Sequence, residues 1–193
     1  MQAVVVDPTD GFTWASGKQS PIYCDNRRTL SVPHVRTAIR DAFVHHIHTH
    51  HGDVDCIAGV ATAGIAHGAL VADALQLPYA YIRSKPKGHG MKNRIEGTVA
   101  AGAKVVVIED LFSSGGSALD AAQALHDESD AEILACGAIF SYGFDIVRQR
   151  FEDAGIPFFH LSDFETLLEL DAITQAFDAE TIERLRAWYE DGF

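Results

Sequence analysis

Short apolar runs recur along the chain, and each contains β-branched or aromatic residues and ends near a turn that includes glycine or serine. Runs of this length and composition are typical of strands that are buried on both faces of a sheet. The pattern predicts five strands, over residues 56–60, 78–83, 104–109, 133–140 and 158–161. A sheet buried in this way needs helices on both of its faces.

The segments around these runs place apolar residues three and four positions apart, the spacing that gives a helix one apolar face. They predict helices over 33–49, 65–77, 118–127, 145–154 and 179–190. Strands that alternate with helices predict an α/β fold with a doubly wound, mostly parallel, five-stranded sheet flanked by helices. No repeat, linker or change of composition divides the chain, so we expect a single domain over residues 1–193.

Composition excludes several classes of protein. The 193 residues include 27 acidic and 15 basic side chains, a formal net charge of −12 that disfavours binding to nucleic-acid phosphates. No stretch approaches the roughly 18 apolar residues that indicate a membrane-spanning helix, and the amino terminus lacks the basic start of a secretion signal. Three widely spaced cysteines indicate neither a zinc site nor a disulfide framework. We therefore expect a cytoplasmic protein with no nucleic-acid or membrane partner.

The strongest candidate site follows the third predicted strand, which ends in Glu109 and Asp110. A loop of small and hydroxyl-bearing residues then opens a helix: Ser113, Ser114, Gly115, Gly116 and Ser117. Glycines let backbone N–H groups turn toward an anion, and the helix start adds its positive end, so the loop predicts a phosphate site. Carboxylates beside a phosphate suit sugar hydroxyls or a Mg²⁺ ion, so we expect a phosphoribosyl group. The alternative is a capped helix beside two solvated acids.

A second candidate site is the basic segment 83–94, which holds five of the fifteen lysines and arginines and no acid. Its proline and glycines favour a loop over a helix. Because this loop leaves a predicted strand end beside the phosphate loop, we expect it to bind pyrophosphate, with His89 placed to donate a proton or a hydrogen bond to a phosphate oxygen. A solvated surface turn and a nucleic-acid contact are the alternatives.

Five histidines crowd the end of the first predicted helix, between residues 45 and 51. His46 and His50 have the i, i+4 spacing of metal ligands. No cysteine or acid nearby completes a tetrahedral set, so a solvated helix end is the preferred interpretation.

Four stretches together resemble the orotate phosphoribosyltransferases: Phe-Thr-Trp-Ala-Ser-Gly at 12–17, Ser-Pro-Ile-Tyr-Cys-Asp-Asn-Arg at 20–27, Lys-Pro-Lys-Gly-His-Gly at 85–90, and the acidic and hydroxyl-rich segment 109–117. The last is typical of type I phosphoribosyltransferases in general, and the other three narrow the resemblance to the orotate branch. The resemblance implies transfer of the 5-phosphoribosyl group from phosphoribosyl pyrophosphate (PRPP) to orotate in pyrimidine biosynthesis. It also implies a small hood from residues 1–32 and the C-terminal segment, and a homodimer with shared active sites.

Roles follow from this resemblance position by position. It implies catalytic roles for Lys87, His89 and Asp110. It implies that the pyrophosphate contacts Arg83, Lys87 and His89, and that Lys85 also binds substrate. It further implies that Glu109 and Asp110 bind the ribose hydroxyls, that the loop from Ser113 to Ser117 binds the 5-phosphate, and that Ser113 also contacts orotate. Mg²⁺ is expected to bind mainly through PRPP, with no dedicated metal ligands.

Recognition of the orotate carboxylate is the open part, because no arginine follows Ser-Tyr-Gly-Phe at 141–144 as it does in one branch of the family. Arg27 is the candidate, since a guanidinium fork suits a planar carboxylate. Pairing of Arg27 with Asp25 or another acid is the alternative. Two other functions stay open: transfer to a different base, and a regulator that senses PRPP without catalysis.

Overall fold

The computed structural model describes residues 3–7, 10–14, 17–86 and 93–192 of the chain. The strands are β1 (Val4–Val6), β2 (Phe12–Thr13), β3 (Gln19–Ser20), β4 (Ile22–Cys24), β5 (Cys56–Val60), β6 (Tyr79–Ile82), β7 (Ile95–Gly97), β8 (Lys104–Phe112), β9 (Glu132–Ser141) and β10 (Phe158–Asp163). After a 3₁₀ helix (Asn26–Ser31), the α-helices are α1 (Pro33–His50), α2 (Gly64–Leu75), α3 (Gly116–Ser129), α4 (Asp145–Ala154), α5 (Phe164–Glu169), α6 (Asp171–Ala176) and α7 (Ala179–Glu190). None of the described helices is long and apolar enough to cross a membrane.

Six strands form the central sheet, in the order β10, β9, β8, β5, β6, β7. The first five are parallel and correspond to the predicted strands, whereas β7 runs antiparallel to β6 at the edge. The predicted α/β class is confirmed. The expected number of five strands is wrong, because the edge strand β7 makes a sixth. Strand β7 has only three residues, including Glu96, so no apolar run marks it in the sequence.

Strand β8 shows why the sheet needs helices on both faces. Val105 and Val107 pack in one cluster with residues of α3 and α4, and Val106 and Ile108 pack in another with residues of α1 and α2. All four side chains are fully buried. Successive strand residues point to opposite faces, and each such burial contributes about 1.5–3 kcal/mol, so the run must be apolar without interruption.

Both ends of the chain meet in a third cluster. Ile22 of β4 packs there with Phe164 of α5 and Leu185 of α7, and all are buried. The Trp188 Nε1 also donates a hydrogen bond to the Gln19 carbonyl oxygen at 2.9 Å. This assembly corresponds to the expected hood, whose bounds, like the single domain over 1–193, remain predictions.

Helix α2 lies very close to the strands beneath it. A Cβ on Gly64 would collide with the Ile108 carbonyl oxygen, and a Cβ on Gly59 would lie 2.8 Å from the Gly64 carbonyl oxygen. The small residues between β5 and α2 therefore serve this close packing. The consequence is that the start of α2 lies directly against the end of β8, beside Glu109.

Candidate active site

The two adjacent acids lie near the carboxyl end of β8. The strand continues to Phe112, so Glu109 and Asp110 belong to the strand itself, and Glu109 pairs with Ala138 of β9. The backbone N–H of Asp110 donates to Glu109 Oε1 at 2.9 Å. Because neighbouring residues of a strand point to opposite faces, the two carboxylates have different surroundings.

Glu109 is the buried member of the pair, with 6% of its surface exposed, and Asp110 is half-buried. Burial, and then the nearby charge of Asp110, raises the pKa of the Glu109 carboxyl well above its usual range. The raised pKa makes the Glu109 carboxyl more readily protonated than an ordinary glutamate, so it can donate as well as accept a hydrogen bond. Asp110 is the more accessible of the two acids.

A residue that the sequence analysis did not single out holds Asp110 in place. The Asn26 side chain, which is buried, donates from Nδ2 to the Asp110 carbonyl oxygen at 2.8 Å. The two residues are 84 positions apart, so no local pattern joins them. The sequence feature that could have pointed to Asn26 is its uncharged amide between Asp25 and Arg27, in a stretch that otherwise carries charges.

The loop between β8 and α3, here named the cradle, leads into the helix through a glycine. Gly115 caps α3 in a left-handed conformation with φ of 72°, and a Cβ there would lie 2.7 Å from the Phe151 ring. Only glycine satisfies both conditions. The Arg150 Nη1 donates to the Ser114 carbonyl oxygen at 3.2 Å, which fixes the loop from α4. The loop thus presents the start of a 14-residue helix at the same edge as Asp110.

The two ends of the basic segment lie at this edge as well. The Arg83 backbone N–H donates to the Arg94 carbonyl oxygen at 2.9 Å, which continues the pairing of β6 with β7. The Arg83 Nη1 lies 3.4 Å from Glu96 Oε1, and Lys85 is exposed. Lys87 and His89 lie outside the described residues.

Arg27 forms the structural pair that was its alternative role. Its Nε lies 2.6 Å from Asp25 Oδ1, and its Nη2 donates to the Tyr23 hydroxyl at 3.3 Å. The Arg27 side chain is nonetheless 56% exposed, so part of the guanidinium can still face a ligand. Tyr23, an exposed aromatic residue, was not identified from the sequence.

The histidine cluster is in part the expected solvated helix end, since three of its five members are exposed. His46 stacks on Phe159 of β10, with ring centroids 3.7 Å apart, and His46 and His51 are half-buried. Burial, and then neighbouring imidazoles, lower the pKa of both histidines. Packing against an aromatic ring therefore replaces part of the water contact of His46. Within the described part of the chain, no group of three or more histidine, cysteine, aspartate or glutamate residues has the geometry to hold a metal ion.

Known families give these features a context. The sequence profile described as "Phosphoribosyl transferase domain" matches residues 30–151, which include β8, the cradle and the basic segment. The chain is also 50% identical over 191 residues to an orotate phosphoribosyltransferase of Streptococcus gordonii, covering 99% of this chain and 91% of that protein. The chain belongs to the orotate phosphoribosyltransferase family.

Solved structures share the fold of this chain. A UMP synthase of Leishmania donovani superposes with a TM-score of 0.82 at 25% identity, over 98% of this chain and 40% of that longer one. An orotate phosphoribosyltransferase of Aeropyrum pernix superposes with a TM-score of 0.77 at 25% identity, over 86% of this chain and 91% of that one. The expected type I phosphoribosyltransferase fold is thereby confirmed.

Proposed function

We propose that the chain transfers the 5-phosphoribosyl group from PRPP to orotate, which forms orotidine 5′-monophosphate and pyrophosphate in pyrimidine biosynthesis. The observation that carries the proposal is the arrangement at the carboxyl end of β8, where the strand leads into α3. There two carboxylates stand next to a glycine-dependent loop at a helix start. A sugar hydroxyl needs the first feature and a phosphate needs the second.

In this proposal Glu109 and Asp110 accept hydrogen bonds from the ribose hydroxyls. The loop from Ser113 to Ser117 binds the 5-phosphate through backbone N–H groups and hydroxyls, and Ser113 also contacts orotate. Arg83 and Lys85, with Lys87 and His89, bind the pyrophosphate. A phosphate held in the cradle and a ribose held at Asp110 orient the anomeric carbon toward the opposite face of the site.

The reaction breaks the anomeric C–O bond of PRPP, and the pyrophosphate leaves with the bonding electron pair. The orotate N1 forms the new bond to the anomeric carbon through an oxocarbenium-like transition state, and the N1 proton passes to the departing pyrophosphate. No protein nucleophile is required. Arg83, Lys85 and Lys87 stabilise the charge on the departing pyrophosphate, and Asp110 stabilises the positive charge on the sugar. One such preorganised group is typically worth about 2.7–4 kcal/mol in the transition state.

We propose Mg²⁺ as the cofactor, held mainly by PRPP. The oxygen donors of Glu109 and Asp110 fit a hard divalent ion, but two carboxylates are fewer ligands than a dedicated cage needs. Phosphate oxygens and water would supply the rest. When bound, the ion neutralises part of the pyrophosphate charge.

Two further parts of the proposal extend the resemblance. One is the cytoplasm as the compartment, for which the three buried free cysteines are suited. The other is Arg27 as the ligand of the orotate carboxylate, by turning one side of its guanidinium from Tyr23 to the substrate.

We expect Arg27→Lys to raise the KM for orotate far more than the KM for PRPP, because an ammonium cannot form a bidentate fork. Arg28→Lys, at a neighbouring exposed arginine, is the matched control. An equal loss for both substrates would indicate structural damage.

One assay separates the candidate functions. We would mix the protein with PRPP and Mg²⁺, add orotate, uracil or adenine in turn, and follow orotate by its absorbance and the other bases by chromatography. Consumption of orotate alone supports the proposal. Consumption of another base replaces orotate as the substrate, and binding of PRPP without turnover of any base identifies a sensor.

We propose finally that two subunits share each site, with the basic segment of one covering the other. Lys87→Ala and Asp110→Asn then damage different halves of a composite site, and each pure dimer is inactive. A mixed dimer has one site with both changes and one intact site. Random exchange at equal concentrations makes about half of the dimers mixed, so roughly a quarter of the wild-type activity should return.

To test this, the two inactive variants are unfolded and refolded together, with an affinity tag on one to verify subunit exchange. Orotate consumption is then compared with that of each variant refolded alone. Exchange without any return of activity would show that the basic segment serves its own subunit.

A further inference from the structure

The carboxyl end of β8 extends beyond the strand that pairs with it on one side. The pairing of β5 with β8 ends at Ile108, whereas β8 continues to Phe112. On this extension two side chains hold the backbone of Asp110: Glu109 Oε1 accepts from its N–H at 2.9 Å, and Asn26 Nδ2 donates to its carbonyl oxygen at 2.8 Å. Of these two, Asn26 is the one that reaches Asp110 from another element, the 3₁₀ helix that contacts β8.

The Asn26 amide has one orientation that satisfies both of its ends. A carbonyl oxygen can only accept, so the NH₂ group must face Asp110 and the amide oxygen must face away. On that other side Cys24 Sγ donates to Asn26 Oδ1 at 3.5 Å. Burial raises the pKa of the Cys24 thiol to about 12, so the thiol stays protonated and can donate. Position 26 therefore uses a donor and an acceptor on the same short side chain.

Asn26 is itself firmly held. Only 5% of its surface is exposed, and its carbonyl oxygen accepts from Thr29 Oγ1 at 2.6 Å. Two residues earlier, the Cys24 N–H donates to the Tyr142 hydroxyl at 3.3 Å. Cys24 and Tyr142 both pack in the third cluster, where the two ends of the chain meet. Buried hydrogen bonds that are satisfied make a region rigid, so Asn26 ties Asp110 to a packed region outside the central sheet.

We propose that Asn26 is a positioning residue for the reaction, which holds the Asp110 carboxylate where the positive charge of the sugar develops. The inference rests on the proposed role of Asp110 beside the ribose. Without the Nδ2 donor, the end of β8 loses this anchor and the carboxylate shifts. The shift weakens an interaction that grows in the transition state more than it weakens ground-state binding of PRPP, so the effect falls on turnover.

The first experiment removes the donor without adding a charge. Leucine has the same branched shape and number of heavy atoms as asparagine, but it has no hydrogen-bonding group. We expect Asn26→Leu to lower kcat about tenfold, with less than about a threefold change in the KM for PRPP. If Asn26→Leu does not fold, Asn26→Ala, which removes the same donor with a smaller side chain, takes its place. A rise in the KM for PRPP with wild-type kcat would overturn the inference.

Ser20→Ala is the control for the loss of a buried hydrogen bond in the same region. Ser20 is 1% exposed, and its Oγ donates to the Ile22 carbonyl oxygen at 2.7 Å. This bond joins β3 to β4 and includes no atom of β8, so its loss should lower the melting temperature and leave kcat within about twofold of the wild type. A loss of kcat in Ser20→Ala as large as in Asn26→Leu, at the same loss of stability, would reduce Asn26 to a structural residue.

A double-variant cycle tests whether Asn26 acts through Asp110. In the Asp110→Asn background the carboxylate that Asn26 positions is gone, so Asn26→Leu should lower kcat by less than about a further twofold. A further tenfold loss would show that Asn26 affects turnover by another route and would contradict the inference.

The single variant Asp110→Asn separates this inference from the proposed function. Normal turnover in Asp110→Asn would remove the proposed role of Asp110 and this inference with it. A loss of turnover in Asp110→Asn, combined with wild-type kcat in Asn26→Leu, would remove the inference alone.

Discussion

The two halves of the proposed site are held in different ways. The acids and the cradle belong to β8 and to the start of α3, and the sheet, Asn26 and Arg150 fix their backbone from several sides. The basic segment 83–94 is fixed at its two ends by ion pairs and hydrogen bonds. In the proposed function, the packed core therefore positions the transferred phosphoribosyl group, and the charges of the basic segment stabilise the leaving pyrophosphate.

The two arginines that bound the basic segment extend this contrast. Arg94 donates to both carboxylate oxygens of Asp120 and to the Arg83 carbonyl oxygen, while its backbone N–H donates to Glu128. Arg83 makes a longer contact of 3.4 Å with Glu96. Arg94 therefore anchors the segment to α3, and the Arg83 guanidinium is the more readily available for a phosphate.

The largest effect is expected in the half that the core holds. Asp110→Asn should lower kcat at least about tenfold with an unchanged melting temperature, because the amide keeps the size and loses the charge beside the sugar cation. Steady-state kinetics and thermal unfolding measure the two quantities. Asp130→Asn, at the far end of α3, is the control. Normal turnover in Asp110→Asn would end its assigned role.

The cradle gives the next effect. Gly115→Ala should raise the KM for PRPP roughly tenfold and destabilise the fold by about 1–3 kcal/mol, since the left-handed backbone and the Phe151 ring both reject a Cβ. Gly116→Ala, whose Cβ would meet its nearest atom at 3.6 Å, should change both quantities little. Equal effects of the two substitutions would argue against a cradle centred on Gly115.

Acidification should lower the stability of the fold through histidines that lie outside the proposed site. The folded state holds the pKa values of His46 and His51 below their usual 6.5, so the unfolded chain binds more protons as the pH falls through that value. The contribution of these two histidines to stability is therefore complete above about pH 6.5 and decreases as the pH falls below that value. His46→Gln with His51→Gln should reduce the fall in melting temperature between pH 7 and pH 5 by a few degrees.

These histidines lie between the end of α1 and the amino end of β5, whereas the proposed site lies at the carboxyl ends of the parallel strands. The same double variant should therefore keep wild-type kcat at pH 7. The exposed pair His45→Gln with His48→Gln is the control for stability. A pH dependence of stability that is the same in all three proteins would exclude the buried histidines as its source.

The smallest effect is expected at the anchor of the basic segment. Asp120→Asn should cost less than about 1 kcal/mol of stability, because the ion pair is largely exposed on the Asp120 side. It should raise the KM for PRPP up to about threefold with kcat unchanged. Asp127→Asn, on the same helix, is the control. A large loss of kcat in Asp120→Asn would contradict the contrast between the two halves, because turnover would then depend on how firmly the basic segment is anchored to α3.

The parallel strands, the helices between them and the loop at residues 113–117 could be predicted without the structure. Each is specified by neighbouring residues: a strand buried on both faces needs a continuous apolar run, and a tight loop before a helix needs glycine. The same local logic located Glu109 and Asp110, since two charges seldom follow a buried run without a partner. The burial that raises the pKa of Glu109 was not readable from the run itself.

Contacts between distant parts of the chain could not be predicted in this way, because they depend on how the elements pack in the fold. Strand β7 exists because the edge of β6 offers it hydrogen bonds, and its own three residues are too few to indicate a strand. Asn26 reaches Asp110 across 84 positions, and Arg94 reaches Asp120 across 26. Local pattern predicts backbone and burial, whereas the partner of a polar group depends on which elements the fold brings together.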